Sequence, residues 1–250
     1  MNMRTFFLKL LLLSGLFIIP SFALAESVLP HSYHYHAIEQ NYVINKNSIV
    51  DVTETQTFDY VGQFHRGRRW IPIDKLRAID NVSVVDGETG VSLVFSTTTL
   101  NKDDPQSWGK YTYYVENKVL RIEWYFNFRD TSHRFALHYR LHGAVGFYDK
   151  YDGLYLDLVT NYEAPIDVLT ASIVLPQTVS KEGISGILYG SAIAPTSAEN
   201  ALVTDGKINF THRNVAPHEQ ITIATRWPKR TVSFMSYIQD FLGKLRFLNL

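Results

Sequence analysis

From residue 38 onward, apolar and polar side chains alternate one by one along much of the chain, the period that puts one set on each face of a β-strand. The clearest run is 50–60, where Val50, Val52, Phe58 and Tyr60 share one face and Asp51, Thr53, Thr55, Thr57 and Asp59 the other. β-Branched threonines suit a half-exposed pleat. Asp86-Gly87 and Thr89-Gly90 separate the runs 82–85 and 91–95, and Glu116-Asn117-Lys118 separates 111–115 from 119–128, so two hairpins are predicted. Leu120, Ile122, Trp124, Phe126 and Phe128 form one apolar row; Phe135, Leu137, Tyr139 and Leu141 form another, against Arg134, His138, Arg140 and His142. Further strands are predicted at 154–159, 168–175, 187–189, 207–210 and 220–227, with polar loops at 101–109 and 191–200. No amphipathic helix interrupts them, which points to an all-β, antiparallel β-sandwich and argues against a parallel α/β sheet.

Both ends depart from this period. Arg4 and Lys9 precede an apolar run that ends at Pro20, and Ala23-Leu24-Ala25 supplies a small-x-small cleavage pattern before Glu26. Residues 1–25 therefore read as a secretory signal peptide, too short in their apolar stretch to favour a membrane anchor. At the other end Phe234, Ile238, Phe241, Leu242, Leu245 and Leu248 recur at three- and four-residue spacing, opposite Gln239, Asp240, Lys244 and Arg246. The expected organisation is a sandwich over 26–230 and an amphipathic helix over 231–250, packed on the sandwich or a partner, with contact to a membrane surface as the alternative.

Composition narrows the function classes. The chain has 24 Lys and Arg against 24 Asp and Glu, and loss of the leader leaves a net charge of −2, so nucleic acid is not an expected partner. Cysteine is absent, which leaves stability to the core. No nucleophile elbow, zinc-protease helix or phosphate-cradling glycine loop is present, and no cofactor is called for. Carboxylates assembled in space for glycoside hydrolysis would leave no sequence signature. Trp70, Trp108, Trp124 and Trp227 could stack on sugars, although aromatics alternating along strands usually belong to the core.

Three groups carry candidate chemistry. Glu54 and Gln56 fall on the apolar face of their strand, where a carboxylate needs a cation; Arg66, Arg68 and Arg69 are the nearest, with Arg69 the first choice across a loop. Such a pair fixes the fold at the sandwich rim; the alternatives are an anion site for a phosphate or acidic sugar, which arginine forks suit, and an acid/base role. His34 and His36 share one side of an extended segment and could offer two imidazoles, but no carboxylate neighbours them in sequence, so they read as exposed histidines. Asp149, Asp152 and Asp157 could gather oxygens around calcium, yet Asp152-Gly153 is explained by turn chemistry and Lys150 opposes a cation.

The order of these segments resembles the N-terminal domain of the DUF2207 family of predicted membrane proteins. The matching features are Val52-Thr53-Glu54, then Arg69-Trp70-Ile71-Pro72 after a basic turn with Gly67, then Tyr139 through Gly143-Ala144-Val145. The acidic-to-aromatic stretch 149–156, a strand ending in Leu175-Pro176 and a closing strand ending in Trp227-Pro228 follow. The resemblance implies an extracytoplasmic β-sandwich tethered to a membrane region, with no established catalysis. The chain departs in having Leu156 where family members commonly carry tryptophan, and in ending after the tail helix, so a free envelope protein or a fragment is expected. The reading reached is an exported, non-catalytic module that binds a membrane protein or envelope polymer through loops around Arg66–Trp70 and 143–157, including Asp149 and Asp152. A carbohydrate-active hydrolase is the alternative; two carboxylates across an aromatic cleft would favour it.

Overall fold

The computed structural model describes residues 31–190 and 199–248; the expected signal peptide over 1–25 and most of the expected 191–200 loop lie outside the described residues. Sixteen strands are described: β1 Ser32–Ile44, β2 Val50–Val61, β3 Gln63–Pro72, β4 Ala78–Asp86, β5 Val94–Phe95, β6 Lys110–Glu116, β7 Val119–Arg129, β8 Ser132–His142, β9 Val145–Phe147, β10 Tyr151–Val159, β11 Ile166–Val174, β12 Ser185–Gly190, β13 Glu199–Asn200, β14 Leu202–Thr204, β15 Lys207–Val215 and β16 Ile221–Pro228. Helix α1, Phe234–Leu248, follows. The fold is all-β, as the alternation predicts.

One layer is a seven-stranded sheet in the order β14-β15-β11-β1-β2-β8-β4. The second layer is divided between a four-stranded sheet, β3-β7-β6-β5, and a five-stranded sheet, β13-β12-β16-β10-β9. Inward side chains such as Ile38, Val52, Phe58, Leu137, Ile122, Trp124, Leu158, Ile223 and Trp227 join all three sheets in one core. Strict alternation drives this: β2 is buried at every second position from Val50 to Tyr60. Two pairings depart from the antiparallel rule, β1 with β11 and β5 with β6, both parallel.

The 111–128 hairpin forms as expected, with Asn117 and Lys118 both at positive φ in the two-residue loop. The 82–95 hairpin closes only near its turn, where Asp86 N–H donates to the Val91 carbonyl and Leu93 N–H to the Val84 carbonyl, both at 2.9 Å, around the Val85–Ser92 bridge; the chain then crosses to the other layer, where β5 pairs with β6 in place of β4. The residues around Arg66–Trp70 correct the sequence reading as well, being the middle of β3 and no loop. Arg66 and Arg68 face outward while Gly67 and Arg69 face in, Gly67 against the Trp124 ring, where a Cβ would lie 2.2 Å from a ring carbon. A glycine next to arginines looks like a turn in sequence; here it is a strand residue with no room for a side chain.

Candidate functional site

The divided layer places β3 and β10 next to each other without a hydrogen-bonded ladder between them. That seam is closed by side chains. Glu54 on β2, fully buried, meets the Arg69 guanidinium on β3, with Nε 2.8 Å from Oε1. Its carboxylate also accepts from Gln40 Nε2 at 3.1 Å, Gln56 Nε2 at 2.5 Å, and the hydroxyls of Tyr139 at 3.1 Å and Tyr162 at 3.0 Å. Arg69 donates in turn to the carbonyls of Trp70 at 2.8 Å and Leu158 at 3.2 Å. Leu158 is the extra residue of a β-bulge in β10, so its carbonyl is off the ladder and free to receive both Arg69 and Gln40. Burial alone would lower the pKa of Arg69, but Glu54 and the surrounding tyrosines carry it well above the usual range. Burial, with Glu54 beside them, pushes Tyr42 and Tyr139 up; Tyr162 also ends well up, where burial and Glu54 outweigh the lowering influence of Arg69.

This arrangement settles where two of the expected contact residues go. Glu54 and Arg69 satisfy each other inside the core, at 0% and 4% exposure, and offer nothing to an external ligand. Asp152 is likewise fully buried; it accepts from Lys229 Nζ at 3.0 Å and from the Tyr237 hydroxyl, and so anchors the start of α1 to β10. Asp149 sits exposed in the turn between β9 and β10, and Asp157 accepts from Thr222 Oγ1 at 2.6 Å on the same sheet. These three acids are thus engaged separately. The helix docks through Ser236, buried, and through the Tyr237 ring 4.6 Å from Phe147, while Phe234, Met235 and Leu242 face outward.

Of the remaining candidates, Arg66 and Arg68 border a cleft at one end of the sandwich, while Trp70 lies outside its lining with its ring against Arg68 and Arg121. The cleft's volume is about 640 Å³, and Tyr33 from β1, Tyr60 from β2 and Phe64, Arg66 and Arg68 from β3 line it together with Glu163. The aromatic floor is continuous: His31 stacks on Phe64 at 4.1 Å, Tyr60 lies 4.8 Å from Phe64, and Tyr33 meets Phe64 edge-on at 5.6 Å. Tyr60 is 5% exposed, and its hydroxyl has no hydrogen-bond partner among the described residues. Burial drives its pKa up, as it does for Tyr33, where Glu163 adds to the effect.

Charges around the cleft are matched. Arg68 Nη2 bonds Glu163 Oε2 at 2.9 Å and its guanidinium lies 5.5 Å from the centre of the Trp70 ring. Lys102 and His65 both engage Asp103, at 2.7 Å and 3.5 Å, and Trp108 packs 5.2 Å from His65. The polar loop 101–109 therefore forms one wall, which sequence reasoning did not connect to Arg66–Trp70. Trp124 and Trp227, by contrast, are fully buried core residues.

Comparison with known proteins bears on the fold. Residues 37–227 match the model of the N-terminal domain of the predicted membrane protein family DUF2207. No curated protein matches the chain. Among solved structures, a candidate nutrient-binding protein from Legionella pneumophila aligns over 84% of this chain and 71% of its own, at 10% identity and a TM-score of 0.43. A candidate protease from Parabacteroides distasonis aligns over 77% and 40%, at 12% identity and 0.39. An M1 zinc metallopeptidase from Deinococcus radiodurans aligns over 78% and 42%, at 9% identity and 0.38. The chain spans about two fifths of the length of these last two proteins. Scores this low transfer neither activity nor substrate. Among the described residues, no helix is long and apolar enough to cross a membrane.

Proposed function

Because the chain belongs to the DUF2207 family through the N-terminal domain of these predicted membrane proteins, we propose that it is a non-catalytic module of the cell envelope that holds a carbohydrate polymer in the aromatic cleft. The observation that carries this reading is the cleft's composition: half-buried aromatic faces, planar polar side chains held in neutral pairs, and the unsatisfied Tyr60 hydroxyl beneath them. Sugars present flat C–H faces and a rim of hydroxyls, so they match apolar rings bordered by donors and acceptors without net charge. A cleft of about 640 Å³ falls in the size range of small-ligand sites and would take a short stretch of such a polymer. A strongly anionic ligand would have to displace Glu163 and Asp103 from their cations, which disfavours it.

Hydrolysis is the weaker reading. Two carboxylates do line the cleft, but Glu163 is held by Arg68 and Asp103 by Lys102, so each already accepts from a cation and neither stands free toward a substrate oxygen. A glycosidase needs one of its pair protonated as the acid. The test is titration of the purified chain with neutral and acidic envelope oligosaccharides, followed by calorimetry, alongside Tyr33→Ala and Arg68→Ala. Saturable binding of a neutral glycan, weakened at least tenfold by each substitution and without cleavage, is expected. No binding across the panel, or turnover abolished by Glu163→Gln, would overturn the proposal.

A further inference from the structure

On the outer face of the seven-stranded sheet, away from the cleft, two imidazoles and two carboxylates converge. His34 Nε2 lies 3.2 Å from Asp59 Oδ2 and 3.3 Å from Asp167 Oδ2; His36 Nδ1 lies 3.8 Å and 3.9 Å from the same two oxygens. One ligand atom from each of His34, His36 and Asp59 lies within 4.8 Å of the other two. We propose that His34, His36 and Asp59 form a binding site for a borderline divalent cation of the Zn²⁺ class, with Asp167 beside the two histidines as a second negative charge.

Sheet architecture explains why the four residues meet. His34 stands opposite Asp59 in the β1–β2 register, and Asp167 belongs to β11 on the other side of β1. In an unbroken strand Tyr35 and Ala37 would share a face; here Tyr35 and Ile38 point inward, and His36 is the extra residue of a β-bulge that turns outward beside His34. A bulge re-aims a side chain at the expense of one ladder step. The acids come from strands more than a hundred residues apart in sequence, which is why the histidines alone gave no metal signal.

The spacing suits the chemistry. Ligands about 2.0–2.1 Å from a tetrahedral Zn²⁺ stand roughly 3.3 Å from one another, close to the 3.2 Å and 3.8 Å that separate Asp59 Oδ2 from the two imidazole nitrogens. Two imidazoles disfavour Ca²⁺ and Mg²⁺, which prefer all-oxygen shells, while two carboxylates neutralise a divalent charge. A hydrogen-bonded pair does not account for the group, because one imidazole nitrogen has at most one proton to give and His34 Nε2 faces two carboxylates. Elsewhere among the described residues the contacts are one to one: His133 with Asp86, His142 with Asp80 and His65 with Asp103.

Calorimetric titration of the metal-stripped full chain with Zn²⁺, with Co²⁺ as the spectroscopic probe, tests the site. One Zn²⁺ per chain and a tetrahedral Co²⁺ absorption band are expected. His34→Gln and Asp59→Asn should each weaken binding about 100-fold, at least the loss seen when supporting residues are removed, while His142→Gln leaves it unchanged. In the unsubstituted protein, Zn²⁺ should shift the imidazole NMR signals of His34 and His36 and of no other histidine, so the result does not depend on variants that fold. Absence of stoichiometric binding, or affinity retained in both ligand variants, would overturn the proposal, whatever the cleft proves to bind.

Discussion

Replacing Arg69 by methionine keeps an unbranched apolar stem and removes the guanidinium, which tests what that group does at the seam between β3 and β10. Glu54 would keep its neutral donors, Gln40, Gln56, Tyr139 and Tyr162, but lose the one cation that compensates it at zero exposure. Stripping one partner from a buried ion pair costs about 3–5 kcal/mol. For a domain of this size that corresponds to a fall in Tm of about 6–20 °C, at roughly 2–4 °C per kcal/mol. Typical domains hold about 5–15 kcal/mol in reserve, so Arg69→Met should still fold in the cold. The decisive measurement is the sign of a second substitution. Glu54→Gln in the native background leaves Arg69 buried without a counter-charge and should also destabilise; added to Arg69→Met it removes the bare carboxylate and should recover about 2 kcal/mol. Urea unfolding followed by tryptophan fluorescence can read all four proteins, because Trp124 and Trp227 are fully buried. A double variant less stable than Arg69→Met, or an Arg69→Met loss under about 1 kcal/mol, would refute an ionic role for the network.

Three more outcomes follow from the same geometry. Gly67→Ala should destabilise by about 1–3 kcal/mol in thermal unfolding, because its Cβ would sit 2.2 Å from the Trp124 ring. Tyr60→Phe removes a buried hydroxyl without a partner, so stability should hold or rise by about 1 kcal/mol while glycan affinity falls; loss of stability would mean the hydroxyl is satisfied. Tyr35, Tyr42, Tyr139 and Tyr162 all have pKa values raised above the ordinary tyrosine value of 10.0. Their stabilising contribution is therefore complete below about pH 10 and lost as pH rises further, by up to about 1.4 kcal/mol per pH unit for each. Chemical unfolding between pH 8 and 11.5 should show a flat region and then a steep decline.

How much of this could be read beforehand depended on how local the cause was. Glu54 betrayed itself by sitting in phase with Val50, Val52 and Phe58, and the same rule applied to β1 would have exposed Gln40, in phase with Ile38, Tyr42 and Ile44. Arg69 was the right partner for the right reason, since both groups had to be buried and oppositely charged. The strand carrying it was mistaken for a loop because Gly67 and three arginines imitate a turn, and the Trp124 ring that demands the glycine comes from β7. Tyr162, the Leu158 bulge carbonyl and the pairing of His34 with Asp59 and Asp167 all depend on register between distant strands. Alternation reports which face a residue takes and carries no information about which strand lies beside it.

The parallel union of β1 with β11 has a consequence for how the chain comes into being. β1 can zip to β2 as soon as both exist, but its other border stays bare much longer, because Val43 must find Val174, 174 − 43 = 131 residues further along the chain. During that interval thirteen residues of unpaired main chain stand ready to recruit a neighbour.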